Sequence, residues 1–292
     1  MKTYSYFPGC SQLSSAEEYG DSALKVAGAL GVRLVPLPDW NCCGASSAHM
    51  TDRLLSVALP ARNLALAREA GGDLVAVCAA CYHNLRSAQK ELLENASLAA
   101  RVEGMIGSDP RFRGRVLHLL DVLLEEVGVG RMREKVRIPL EGLRPVSYYG
   151  CLMARPRGMM EGDDPDNPRG MDALLATLGA EVRPWSYKTD CCGGSLSLTR
   201  TDVVVRLVNR LFAAAEEAGA NCLVTACPMC LANLEMRQWE SKLRFVTLFD
   251  LPIFFFTELL GLAMGMEEAE GWFARHLVDP RPLLRKLGVM AS

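Results

Sequence analysis

Cysteine is the residue type in this chain whose number and spacing most directly imply chemistry. There are eleven, and ten of them fall into two sets. Cys10, Cys42, Cys43, Cys78 and Cys81 follow one another at intervals of 32, 1, 35 and 3; Cys151, Cys191, Cys192, Cys227 and Cys230 follow at 40, 1, 35 and 3. The last four of each set superpose at a constant offset of 149. YFPGC matches YYGC, NCCGAS matches DCCGGS, DLVAVCAACYHNL matches CLVTACPMCLANL, and LHLLDVLLEEVG matches TLFDLPIFFFTELLG. This is an internal duplication. The extra eight residues of the second set fall in RPRGMMEGDDPDNPRG, a stretch rich in Pro, Gly and Asp that reads as a surface loop inserted after Cys151.

One CxxC alone fits zinc, a cubane cluster or a redox disulfide equally well. Five cysteines exceed the four ligands of structural zinc or of an ordinary four-iron cluster. Adjacent cysteines in an extended chain point apart, so the Cys42–Cys43 and Cys191–Cys192 doublets suit two metal ions, or a bridge between them, better than chelation of one. The pattern favours a multinuclear cluster in each half; zinc in both halves is the alternative. Gly44, Gly193 and Gly194 follow the doublets, where they serve as strand-to-helix turns, as donors of backbone N–H to cluster sulfides, or as both.

Composition narrows the setting. At 292 residues and half apolar, the chain is long enough for two domains, each with its own core. Thirty-two basic and thirty-four acidic residues leave a net charge of -2 and no basic stripe, which argues against nucleic acid. MKTYSYFPGC reads as neither a signal peptide nor a membrane segment, so a cytoplasmic chain is expected, where an odd number of cysteines points to metal or redox chemistry rather than a disulfide scaffold.

The elements that must position the thiols alternate strand and helix. TYSYF, RLVPL and LVAV read as strands that end just before Cys10, the first doublet and Cys78. Helical periodicity runs from Ala16 to Leu30, from Asp52 to Ala70, and from Cys81 through Arg86 and Leu92. The second half repeats this with SYYG, EVRPW and LVTA. Crossover helices imply parallel pairing, so all strands of a half end on one edge, where open α/β sheets bind ligands. The expected fold is α/β: two pseudo-symmetric repeats, residues 1–145 and 146–292, each a parallel-sheet domain with cysteine loops at the strand C-terminal ends and the two cysteine edges facing.

The doubled pattern of C, CCG and CxxC resembles the cysteine-rich CCG domain found in the B subunit of heterodisulfide reductase. PDWNCCGASSAH, ALPARNLALA, MDALLATLGAE, WSYKTDCCGGSLSLTR and FTELLGLAMG extend the resemblance over almost the whole chain. It implies two noncubane [4Fe-4S] clusters. Cys10, Cys42, Cys43, Cys78 and Cys81 would be the ligands of one, and Cys151, Cys191, Cys192, Cys227 and Cys230 those of the other. It also implies reduction or formation of a disulfide or related sulfur bond between them. The implied partners are a C subunit with cubane [4Fe-4S] clusters, a flavin-containing A subunit reached through it, and a disulfide or persulfide substrate. The chain itself has no ferredoxin-type cysteine run and no GxGxxG. The rival reading is an electron-transfer or anchoring subunit of a succinate, lactate or glycolate oxidising complex.

The remaining residues are weighed individually. His49 is the candidate proton donor, with His83 behind it, both expected near the first cluster; their counterparts, Leu198 and Ala232, rule out a symmetric role. Asn84 and Asn233 coincide after the CxxC motifs, as helix-start residues or as donors to a cluster sulfur. Cys222 reads as a buried structural thiol, and RGMMEG and LAMGMEE as packing. LPIFFFTELLGLAMGM reads as a core strand and helix, with a partner or membrane face as the alternative, and is too short and too interrupted for a span.

Overall fold

The structure, a computed structural model, describes residues 2–45, 48–160, 162–247 and 250–291, with only the backbone of His49. Two parallel sheets carry the fold. In the first half β1 (Lys2–Phe7), β2 (Val32–Pro36), β3 (Leu74–Ala76) and β4 (Val116–His118) lie in the order β2-β1-β3-β4, with Tyr4 opposite Leu34 and Tyr6 opposite Val75. In the second, β5 (Pro145–Tyr148), β6 (Cys222–Thr225) and β7 (Ile253–Phe255) lie in the order β5-β6-β7, with Val146 opposite Leu223.

The crossover helices repeat as well. Arg53–Ala70 precedes β3 as Thr201–Glu217 precedes β6, and Ala79–Glu94 follows β3 as Pro228–Phe245 follows β6. Asp52 caps the first of these by accepting from the Leu55 N–H at 2.7 Å. The helix read as opening at Cys81 begins two residues earlier, so both cysteines of the first CxxC lie on its first turn and its N-cap.

The second-half counterpart of β2 is incomplete. The Glu181 and Arg183 amides donate to the Leu143 and Pro145 carbonyls at 2.8 Å each, but residues 181–185 form no ladder. Pro145 has no N–H to return, and the Trp185 indole, rather than a backbone amide, takes the Ser147 carbonyl at 2.8 Å. The expected strand EVRPW is therefore an edge segment hydrogen-bonded from one side.

The halves also share a core. The largest buried cluster joins Tyr4, Tyr6 and Tyr19 of the first half to Val146, Phe255 and Phe256 of the second. Tyr19 stacks on Phe255 at 3.9 Å between ring centroids, Ser22 and Thr257 hydroxyls meet at 2.7 Å, and the Trp272 indole donates to Asp21 at 2.7 Å. Helix Glu17–Ala29 thus packs on helix Phe256–Ala263, and two fully independent cores do not form. The inserted loop joins in: Met159 is buried in the first half's cluster, its carbonyl accepts from the Tyr82 hydroxyl, and Arg86 donates to the Gly158 carbonyl at 3.3 Å. Phe254, Phe256, Leu259, Leu260 and Ala263 are all buried, so the apolar LPIFFFTELLGLAMGM is interior. Among the described residues no helix is long and apolar enough to cross a membrane.

Candidate metal centre at the facing cysteine edges

Strand ends deliver the thiols. Cys10 follows β1, Cys78 follows β3 and caps helix Ala79–Glu94, Cys151 follows β5, and Cys227 follows β6 and caps helix Pro228–Phe245. Gly9 and Gly150, at φ 73° and 68°, let these turns press on the second cysteine of each CxxC. A Cβ at Gly9 would lie 3.2 Å from Cys81 Sγ, and one at Gly150 would lie 3.0 Å from Cys230 Sγ. Only a residue without a side chain fits both the backbone and the approach.

The doublets reach the same places. Cys43 Sγ stands 3.3 Å from Cys81 Sγ, and Cys192 Sγ 3.7 Å from Cys230 Sγ. The amides after the doublets turn onto sulfur: Gly44 N–H faces Cys42 Sγ at 3.4 Å and Gly193 N–H faces Cys191 Sγ at 3.3 Å. Asn84 Nδ2 donates to the Cys43 carbonyl at 3.1 Å and Asn233 Nδ2 to the Cys192 carbonyl at 2.8 Å. Neither asparagine is an N-cap; each ties its helix to its doublet, and Asn84 Nδ2 stands 3.9 Å from Cys43 Sγ.

Across the halves Cys78 and Cys227 come close enough for each to shift the other's thiol pKa. Protons are shared along these thiols. Bonds from Cys42 and then Cys81 pull Cys43 far below the ordinary thiol range, and Cys43 in turn pushes Cys81 up. Cys227, held down by Cys230 and Cys78, pushes Cys78 up; Cys191 is lowered by Cys151, which rises in exchange. Metal ligation demands that such shared protons leave.

Among the described residues no three Cys, His, Asp or Glu side chains stand where one metal ion would need them; the sulfurs pair instead. Ten soft donors, six of them buried, with backbone N–H groups aimed at two, are chemically matched to an iron–sulfur group.

All five second-half cysteines line one cavity of about 370 Å³, and the first half supplies its facing wall through Ala79, Ala80, His83 and Asn84. His83 was expected beside the first set of cysteines. Its helix instead carries it across to the second, where Nδ1 lies 3.3 Å from the Leu152 carbonyl and burial lowers its pKa. The side chain of His49, in helix Ala48–Thr51, lies outside the described residues. Cys222 is fully buried within β6, and burial raises its thiol pKa.

One group was missed from sequence. His276 Nδ1 and Nε2 lie 2.9 Å from Glu235 and 2.9 Å from Glu258, all three buried. Burial alone would lower His276, but Glu258 and Glu235 outweigh it and hold the pKa at about 11. No repeat counterpart or fixed spacing signals this triad.

Two parallel sheets that turn cysteine-bearing edges toward one another define a duplicated, cysteine-rich α/β protein. The chain belongs to the CCG cysteine-rich domain family, which matches residues 4–86 and again 146–235. It is 28% identical over 286 residues to the 8-methylmenaquinol:fumarate reductase membrane anchor subunit of Wolinella succinogenes, covering 97% of this chain and 99% of that one. It is 27% identical over 264 residues to the B subunit of the ferredoxin/F420H2-dependent CoB-CoM heterodisulfide reductase of Methanosarcina acetivorans, covering 88% of each. The crystal structure of a hypothetical protein from Helicobacter pylori shares the fold at a TM-score of 0.75 and 14% identity; it covers 95% of this chain, which spans 52% of that one.

Proposed function

We propose that this chain is the iron–sulfur subunit of a heterodisulfide reductase-like complex, an oxidoreductase component that reduces, or in reverse forms, a disulfide or related sulfur bond. Each repeat, 1–145 and 146–292, would hold one noncubane [4Fe-4S] cluster: Cys10, Cys42, Cys43, Cys78 and Cys81 in the first, and Cys151, Cys191, Cys192, Cys227 and Cys230 in the second. The observation that carries this is the cavity between the two cysteine edges, lined by all five cysteines of the second set and walled from the first half by the helix that follows Cys78.

The clusters, when bound, would supply electrons one at a time to a sulfur–sulfur bond, whose cleavage to two thiols consumes two electrons and two protons. The chain's own residues do the rest. Gly44 and Gly193 amides stabilise anionic sulfur, and Asn84 and Asn233 fix the doublets. Ala79, Ala80 and Leu152 give the cavity an apolar wall suited to a thioether or alkyl disulfide. His83, oriented by the Leu152 carbonyl, offers an imidazole to a substrate there, and His49 is the second candidate for proton delivery. Electrons come from a C subunit with cubane clusters, itself fed by a flavin-containing A subunit.

A second reading, an electron relay within another dehydrogenase, is favoured by the full-length likeness to a fumarate reductase subunit named as a membrane anchor. One experiment separates the two. The chain is purified anaerobically with its native partners, iron and sulfide are counted, and paramagnetic resonance is recorded with and without added disulfides. The proposal expects about eight irons per chain and a spectrum that a disulfide alters. Clusters blind to every disulfide leave the relay, and zinc without iron ends both.

A further inference from the structure

Helix Pro228–Phe245 leaves the CxxC of the second half with an amphipathic face turned to solvent. Met236, Trp239, Leu243 and Val246 recur at spacings of three and four and are 46%, 66%, 64% and 89% exposed, so they form one apolar stripe. The duplication provides an internal control. At the offset of 149 the first-half helix carries Ser87, Lys90 and Glu94, and Ser97 lies beyond its end in the next helix. The same helix in the same fold is thus polar in one half and apolar in the other, which neither strand pairing nor cysteine placement requires.

The stripe is continuous with the site. Arg237 donates to the Ser197 carbonyl at 2.6 Å and to its hydroxyl at 3.2 Å, which fastens the loop after the second doublet against the helix. That loop exposes Leu196 and Leu198, and Ser195 just before them lines the cysteine cavity. The apolar face therefore runs from the cavity mouth to the end of the helix. Val246 closes it at φ 54°, a left-handed conformation that a β-branched residue enters only under strain.

Charge decides the occupant. At the rim Arg237 pairs with Glu240 and Lys242 with Asp250 at 3.0 Å, and Arg244 lies over the Phe245 ring 6.0 Å from its centroid, so the face presents apolar surface with one further cation at its edge rather than a basic cluster. An anionic bilayer selects an excess of basic side chains around such a stripe. An apolar face centred on tryptophan, with a lone arginine at its edge, fits a protein interface. We infer that Met236, Trp239, Leu243 and Val246, with Leu196 and Leu198, form the docking surface for an electron-exchanging protein subunit with an apolar, weakly charged face, held beside the second set of cysteines. This rests on the redox reading given above.

The test replaces Trp239 with the photo-crosslinker benzoylphenylalanine in the native complex, with the same replacement of Lys90 as the matched control. The expected result is a cross-link from position 239, but not from position 90, to a subunit that mass spectrometry identifies as a redox protein. Trp239→Asp should weaken that subunit's binding about 30-fold or more, with iron and sulfide content unchanged. Cross-links to a second copy of this chain, cross-links to lipid, sedimentation with vesicles of anionic phospholipid that Trp239→Asp abolishes, or unchanged binding in the variant would each overturn the assignment. The cross-link does not depend on bound iron, so a chain devoid of iron would sink the redox reading while the docking face was still judged by its own result.

Discussion

In the first half, an acid at the start of the helix after the last strand is half-buried with the Arg86 charge nearby; in the second, the same position is answered by a histidine whose side chain is buried. Asp121 stands three residues after His118 at the end of β4, as Glu258 stands three residues after Phe255 at the end of β7. Glu258 accepts from the Phe255 N–H at 2.8 Å, and the His118 backbone lowers the pKa of Asp121 from the corresponding place. Burial then raises Asp121 to about 7, whereas Glu258 faces His276, which Glu235 grips from the other side. The counterpart of Glu235 is Arg86, which serves the inserted loop instead. The halves are alike where thiols must converge and free to differ where they must only fill space, so each difference is a natural test of what the shared parts do.

The largest effects come from breaking the likeness itself. Cys81→Ser and Cys230→Ser each remove the sulfur against which a glycine turn and a doublet cysteine are packed. Each should cost half the iron and sulfide and leave the other half's spectrum in place, measured by metal analysis and paramagnetic resonance. Loss of all iron from either variant would show that the halves do not load independently.

Next comes the acid slot. His276→Ala strands two buried carboxylates and should cost about 3–5 kcal/mol in anaerobic denaturant titrations, the usual penalty for breaking a buried pair. The sign with pH follows from the raised value: the histidine's contribution is complete below about 6.5 and fades as pH climbs toward about 11. Asp121 runs in a lower window. Its folded pKa of about 7 lies above the unfolded 3.8, so its contribution is complete below 3.8 and is lost as pH rises through 7. Asp121→Asn should flatten stability between those values and leave the histidine's window untouched. Equal flattening in both windows would mean that the two slots are coupled.

The cysteine sets, the parallel order and the facing edges were legible because a cysteine pattern repeated at fixed offset survives any amount of intervening change. What sequence concealed was contact across the halves. His83 belongs by chain position to the first set, but a helix leaving the CxxC at the edge of one half projects the second residue beyond Cys81 into the other. Met159 sits in a Pro- and Gly-rich stretch that reads as a plain surface insertion, yet its side chain fills the first half's core. His276 meets acids 41 and 18 residues away that share no helical face or strand register with it. Periodicity reports on an element's own face and carries no information about a neighbour contributed by the other repeat.

The smallest effect tests the one place where backbone topology itself diverges. In the first half Leu37 N–H donates to the Tyr6 carbonyl at 2.8 Å; the equivalent Ser147 carbonyl receives the Trp185 indole at the same 2.8 Å. A side chain thus completes a ladder that Pro145 and Pro184 leave short of donors. Trp185→Phe keeps the ring beside Tyr148, which stands 6.1 Å away edge-on, but removes the donor. It should cost about 1 kcal/mol, the net worth of one hydrogen bond, and quicken amide exchange along residues 181–185 and β5. The first-half sheet should be unmoved, because its edge closes through the main chain. Slower exchange, or loss of protection in β1 and β2 as well, would mean that the indole serves packing rather than the ladder and that the two edges are closer in kind than their hydrogen bonds indicate.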